Sequence, residues 1–259
     1  WTVALWAATF FPVFAVVSYG QNSLLSFGVL ALTYRLLTLN RRFAAGLAAS
    51  LLLFKPPLLL GLVVWGVLDL RRLWPAAVGV ALGGAALVGG SYLVVPEAWA
   101  GFAENLRENA GFEGFEWWKM HGPRAFWRLL LAGPGETTVG PVSVRTALWL
   151  LTAAVGVWGF VRVWRANREN LPVLFGASVA LMLWASPHAM IYEWSLLVVP
   201  AVLWRESGVG RPAVWRVLFA AVWVTLFVAT DLGRLNEWGG KWLGWPHPPV
   251  VQITTPVLA

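Results

Sequence analysis

The chain has 259 residues, of which 59% are hydrophobic and only 12% charged, with a formal net charge of +7 and no cysteine. Soluble domains carry about a quarter of charged residues, so a soluble fold of this length could not solvate its own surface. The lack of cysteine excludes a disulfide framework, a thiolate nucleophile and any Cys-based metal site. The positive balance does not mark a nucleic-acid binder, because the basic residues fall mostly in short clusters between apolar stretches, where they orient helices.

Apolar runs and their breakers predict helices over 1–17, 22–39, 43–68, 73–95, 145–164, 171–185, 189–204 and 213–230. The first begins at Trp1, inside an apolar stretch and without the basic region of a signal peptide, which reads as the C-terminal part of a longer protein. Gly20-Gln21-Asn22 then separates two helices, with Asn22 placed as N-cap of the second. The third stretch is flanked by Arg41-Arg42 and Arg71-Arg72 and broken at its centre by Lys55-Pro56-Pro57. Both arginine pairs belong on the cytoplasmic side by the positive-inside rule, and one crossing cannot satisfy both. Two half-segments of ~12 residues suit a hairpin, with Lys55 at its external tip, better than one kinked span. Gly79-x-x-x-Gly83 suits close helix packing in lipid and follows no strand, so it is not a nucleotide loop.

The 96–144 segment mixes six glutamates with Arg107, Lys119, Arg124 and Arg128 and reads as an external loop. Within it, Trp99, Phe102, Ala103 and Leu106 repeat at helical spacing, and Arg124–Leu131 forms a second amphipathic run. Arg162, Arg165 and Arg168, and then Arg205, Arg211 and Arg216, return the chain to the cytoplasmic side, leaving an external tail over 231–259. The expected architecture is all-α: one polytopic integral membrane domain over 1–259, with its polar groups gathered on the external face.

Chemistry concentrates in three places. Gln21 and Asn22 offer hydrogen bonds to sugar hydroxyls or phosphate, although an end-of-helix cap explains Asn22 as well. Lys55, an ammonium inside an apolar stretch, needs either an acidic partner or a phosphate. Ser186-Pro187-His188 and Tyr192-Glu193 join two helices too short to span, with His188 a donor and Glu193 an acceptor of protons; a polar turn anchored by Tyr192 and Trp194 is the alternative. No His/Glu spacing suggests a metal site.

In this order, Gly20-Gln21-Asn22, Arg41-Arg42, Ala45-Gly46, Lys55-Pro56, Arg71-Arg72 with Trp74, and Ser186-Pro187-His188 with Tyr192-Glu193 resemble the polytopic glycosyltransferases of the GT-C superfamily. The resemblance is most specific over 18–75, and the nearest family is glycosyltransferase family 87. It implies a GT-C-like bundle in the cytoplasmic (inner) membrane, active on its external face, transferring a hexose, best known as mannose, from a polyprenyl-phosphate donor to a lipid or glycan acceptor. It implies neither cofactor nor metal nor nucleic acid. Gln21, Asn22, Lys55, His188 and Tyr192 would contact substrate. The base in such enzymes is an acidic residue of the first external loop, expected before Trp1, which leaves Glu193 as the candidate within this chain. A transporter or flippase of lipid-linked sugars, and an O-antigen-type polymerase, are the rival readings.

Overall fold

The structure is a computed structural model that describes residues 2–110, 120–132, 142–208, 212–243 and 254–255. It is all-helical. The first half contains α1 (Thr2–Thr9), α2 (Phe11–Ser18), α3 (Ser23–Thr38), α4 (Arg42–Ser50), α5 (Leu60–Leu68) and α6 (Leu70–Val94). The second contains α7 (Pro96–Ala110), α8 (Pro123–Ala132), α9 (Val142–Ala166), α10 (Leu171–Ala185), α11 (Val198–Glu206) and α12 (Pro212–Leu243). Three 3-10 segments, Leu51–Phe54, Pro56–Leu59 and Ile191–Leu197, complete the described helices. Among the described residues there is no strand, only an isolated antiparallel bridge between Met120 and Met190.

Three helices differ from expectation. The first divides at Phe10, whose backbone is extended, because Pro12 occupies the first turn of α2 and has no N–H to continue α1. The helix expected over 189–204 starts as a 3-10 segment and becomes α-helical only at Val198. The last helix, expected over 213–230, runs on to Leu243, so the first part of the expected tail, 231–243, continues the helix. Most of the acidic groups expected in the external loop, Glu108, Glu113, Glu116 and Glu136 among them, have side chains outside the described residues.

The core is built around α10. Val173 to Val179 are all buried, as a helix that is apolar all round requires. Glycines bring its neighbours to backbone contact: a Cβ at Gly61 of α5 would fall on the Ser178 carbonyl, and one at Gly176 would meet Pro200 and Trp204 of α11. The tightest seam is α4 on α6. A Cβ at Gly46 would overlap the Ala76 carbonyl, one at Gly79 the Phe43 carbonyl, and one at Gly83 the Ser50 hydroxyl. Small-residue spacing on α6 therefore serves helix packing, as its sequence suggested.

These contacts also give direction. Gly46 lies on Ala76, Ser50 on Gly83 and Leu53 on Gly84, so α4 with the turn after it and α6 run side by side the same way. Arg42 Nη1 donates to the Arg72 carbonyl at 2.6 Å, putting both arginine pairs at one end. Since α4 and α6 both leave that end, the chain between them must turn back, and Lys55 lies at the far tip. Arg72 in turn donates to the Arg168 carbonyl at 2.9 Å and pairs with Glu169 at 3.6 Å. Trp204 donates to the Val173 carbonyl at the start of α10, which brings Arg205 to the same end. The basic clusters gather there, and Lys55, Ser186 and His188 gather at the other end.

Two helices are long and apolar enough to cross a membrane, Leu70–Val94 and Val144–Ala166. Only 11% of each apolar window is buried inside the protein, so these are not core helices of a soluble domain. Leu82, Leu93 and Val94 on α6, and Leu150, Leu151 and Val155 on α9, face outward. Contiguous apolar surface of this kind is what lipid covers.

Candidate active site

Lys55 is delivered by local sequence. The residue before a proline is pushed out of the α region, and Lys55 sits at φ −137°, ψ 77° between two 3-10 turns, with Pro56 starting the second. Its ammonium therefore leaves the helical stack at the hairpin tip. There it meets the 3-10 segment before α11. Lys55 Nζ is 3.3 Å from Glu193 Oε1, with the two side chains 20% and 11% exposed. The ammonium also lies 5.1 Å from the centre of the Tyr192 ring, in cation–π range. The contact is an ion pair without hydrogen-bond alignment, and Nζ has no hydrogen-bond partner although it is buried. A primary ammonium has three donors. This one keeps donors to offer.

Glu193 is held from its other side. Its Oε2 accepts the Met190 N–H at 2.9 Å, and its own N–H donates to the Met190 carbonyl at 2.9 Å. This reciprocal pair closes a tight turn instead of an α-helical one. The Met120–Met190 bridge and the His121 N–H to Ala189 carbonyl bond, 2.8 Å, fasten the same turn to the segment before α8. The carboxylate is thus fixed by backbone, which is how a group required at one position is held.

His188 stands apart from that pair. Its Nε2 is 2.9 Å from Arg124 Nη1, and since a guanidinium only donates, the ring accepts there and carries its proton on Nδ1. Burial and then the Arg124 charge lower its pKa, so the ring is held neutral. His121 is buried against Thr254, 3.0 Å from Nδ1, and burial lowers its pKa to about 4. Among the described residues no group of three His, Asp or Glu could hold a metal ion.

Gln21 and Asn22 lie at the turn between α2 and α3, and both of these helices pack on the 191–197 segment. Gln21 Nε2 donates to the Tyr19 carbonyl at 3.3 Å. Asn22 makes no capping bond, so the cap expected of it is not formed and its amide remains available. The structure therefore joins Lys55, Tyr192 and Glu193 in one cluster, seats His188 on Arg124 apart from it, and places Gln21 and Asn22 at the turn between two helices that pack on the 191–197 segment. Arg124 is the residue that sequence reading left as a mere face of an amphipathic helix. Nothing in its spacing pointed to His188, 64 positions away.

The model of glycosyltransferase family 87 matches residues 1–187. The chain belongs to this family. No curated protein and no solved structure gives a match. Membership implies a glycosyltransferase, one that uses a sugar donor and an acceptor. It gives no support to the transporter and polymerase readings. The matched region contains Gln21, Asn22 and Lys55 but stops just short of His188. The place of Tyr192 and Glu193 beside Lys55 is a finding of geometry alone.

Proposed function

We propose that this family 87 member is a multi-pass GT-C-type enzyme of the cytoplasmic membrane that transfers a hexose, mannose in the first instance, from a polyprenyl-phosphate donor. The acceptor is a lipid or glycan, and the reaction takes place at the external face, the end that holds Lys55. The observation that supports this most is the buried Lys55–Glu193 pair with unused ammonium donors, set in a family of glycosyltransferases.

The reaction is a direct displacement. The acceptor oxygen attacks the anomeric carbon as the bond from that carbon to the phosphate oxygen breaks. The bonding electron pair leaves on the phosphate, and the acceptor's proton goes to a carboxylate. Glu193 is the carboxylate positioned for this in the present chain, its second oxygen steadied by the Met190 N–H. Lys55 offsets the charge growing on the leaving phosphate with donors that Glu193 does not use. Tyr192 and neutral His188 flank the sugar, and Gln21 and Asn22 bind its hydroxyls.

The test uses membranes carrying the protein and a polyprenyl-phosphate hexose labelled in the sugar. Label should appear in a new glycosidic bond with release of polyprenyl phosphate, and a nucleotide sugar supplied alone should give none. Direct use of the nucleotide sugar, or movement of lipid-linked sugar across the bilayer with no new bond, would sink the proposal.

A further inference from the structure

Where α8 packs on α9, cationic side chains converge and one of them is buried without a partner. Arg145, in the first turn of α9, is 8% exposed, and its Nη1 has no hydrogen-bond partner. One turn on, Trp149 has a buried ring N–H that also lacks an acceptor, and residues four apart share a helix face. Arg128 on α8 is near enough to Arg145 for the two charges to repel. Arg124, one turn earlier, stacks its guanidinium 5.8 Å from the centre of the Trp149 ring. Among the described residues no carboxylate stands within ion-pair distance of Arg145.

A buried guanidinium beside a second cation is unfavourable until an anion completes it. The open donors here are a planar fork and an indole N–H on one face, which suits an oxyanion with several acceptors better than a single carbonyl. Depth narrows the anion further. The candidate membrane-spanning stretch of α9 is Val144–Ala166, so Arg145 lies at its end, the level at which lipid headgroups present phosphoryl groups. We infer that the α8–α9 seam, through Arg145 and Trp149, is a seat for a phosphoryl group. Arg124 links the seat to His188, and so to the Lys55–Glu193 end. The seat stands on its own donors and does not require the transfer reading.

The experiment measures binding, not activity. Purified protein in detergent is titrated with a short-chain polyprenyl phosphate, phosphatidylglycerol, inorganic phosphate or, as a neutral control, diacylglycerol. Melting temperature and ligand retention in native mass spectrometry are read. At least one phosphoryl probe should raise the melting temperature and be retained, and diacylglycerol should do neither. Stabilisation by polyprenyl phosphate alone assigns the seat to a lipid-linked donor; stabilisation by phosphatidylglycerol too assigns it to headgroups in general; inorganic phosphate alone assigns it to the free ion. Arg145→Gln should weaken binding about tenfold to a hundredfold, the loss of one charge-assisted contact. Without ligand it should melt no lower than wild type, since an uncompensated charge has gone. Trp149→Phe keeps an aromatic ring, removes the donor and should weaken binding several-fold. Equal binding by wild type and both variants, no response to any phosphoryl probe, or a ligand-free Arg145→Gln protein that melts well below wild type would each overturn the inference.

Discussion

If the Lys55–Glu193 pair works on substrate, stability and transfer should separate when both partners are removed. At 3.3 Å, with side chains 20% and 11% exposed, the pair is mostly desolvated. Deleting one member of such a pair strands the other charge, at a cost of about 3–5 kcal/mol in fully buried cases. Partial exposure puts the expectation for Lys55→Met, or for Glu193→Gln, near ~3 kcal/mol or slightly below. The Lys55→Met/Glu193→Gln protein strands no charge, because Met keeps the apolar stem and Gln keeps an oxygen for the Met190 N–H. It should recover most of that stability. Transfer should not recover. A charge-assisted contact to phosphate is worth roughly 1.5–3 kcal/mol, so kcat/KM should stay about tenfold to a hundredfold down in Lys55→Met and in the double variant. Lys55→Arg should regain only part, since a planar fork replaces a compact point charge. The assay is melting temperature and hexose transfer on the same five preparations, wild type and the four variants. A double variant that regains transfer along with stability would show the pair to be a structural tie, and the proposed chemistry would lose its cation and its base together.

Other outcomes follow from packing, burial and direction. Gly79→Val places side-chain atoms against the Phe43 carbonyl across the α4–α6 seam and should destabilise the protein by about 1–3 kcal/mol or more, whereas Gly89→Ala, with open space around it, should be tolerated. His121 has an ordinary value near 6.5 when unfolded and about 4 when folded, so its contribution is complete above pH 6.5 and is lost as pH falls from there toward 4. That amounts to about 3 kcal/mol, read as a melting-temperature profile that flattens over the same window in His121→Gln. Because the chain has no cysteine of its own, single cysteines at Gly101, exposed on α7 beyond the far end of α6, and at Asn167 should react with a membrane-impermeant thiol reagent from opposite sides of sealed vesicles; labelling of both from one side would refute the sidedness built on the basic clusters.

The helices were legible wherever one physical signal dominated. Apolar length marked α3, α6, α9 and α10, and the conflict between Arg41-Arg42 and Arg71-Arg72 over one stretch implied the turn-back that the Arg42–Arg72 bond now displays. Lys55 stood out because an ammonium in apolar sequence needs a partner, but its partner could not be read. Glu193 lies 138 positions away, and only the packing of the hairpin tip on the 191–197 segment unites them. The same limit hid the tie between His188 and Arg124. The start of the helix expected over 189–204 was misread because its apolar run is continuous, while its conformation is set by side chain–backbone bonds at Met190 and Glu193 that periodicity does not encode. Asn22 failed as a cap for the converse reason: the residue type allowed the bond, but the backbone at φ −82°, ψ 12° lies outside the extended region in which a capping side chain reaches its N–H.

The depth of the Lys55 tip bears on the proposal that the donor is a lipid. From Arg42, α4 and the following 3-10 turn rise together by roughly 20 Å, at ~1.5 Å and ~2 Å per residue. The 25 residues of α6 start at the same end and rise roughly 37 Å, enough to cross a hydrocarbon core of about 30 Å. Lys55 therefore stops about 10 Å short of the far surface when α6 spans. The 15 residues of α10, rising roughly 22 Å, leave Ser186 at a similar depth. A charged pair at that level persists only in a recess walled by protein and open to water or to polar ligand groups. A sugar on a polyprenyl tail can reach such a recess sideways while its tail stays in the bilayer, and its phosphate then sits near the unused donors of Lys55. A nucleotide sugar would have to leave water and bring two phosphates down into the recess to meet one ammonium that already shares its charge with Glu193.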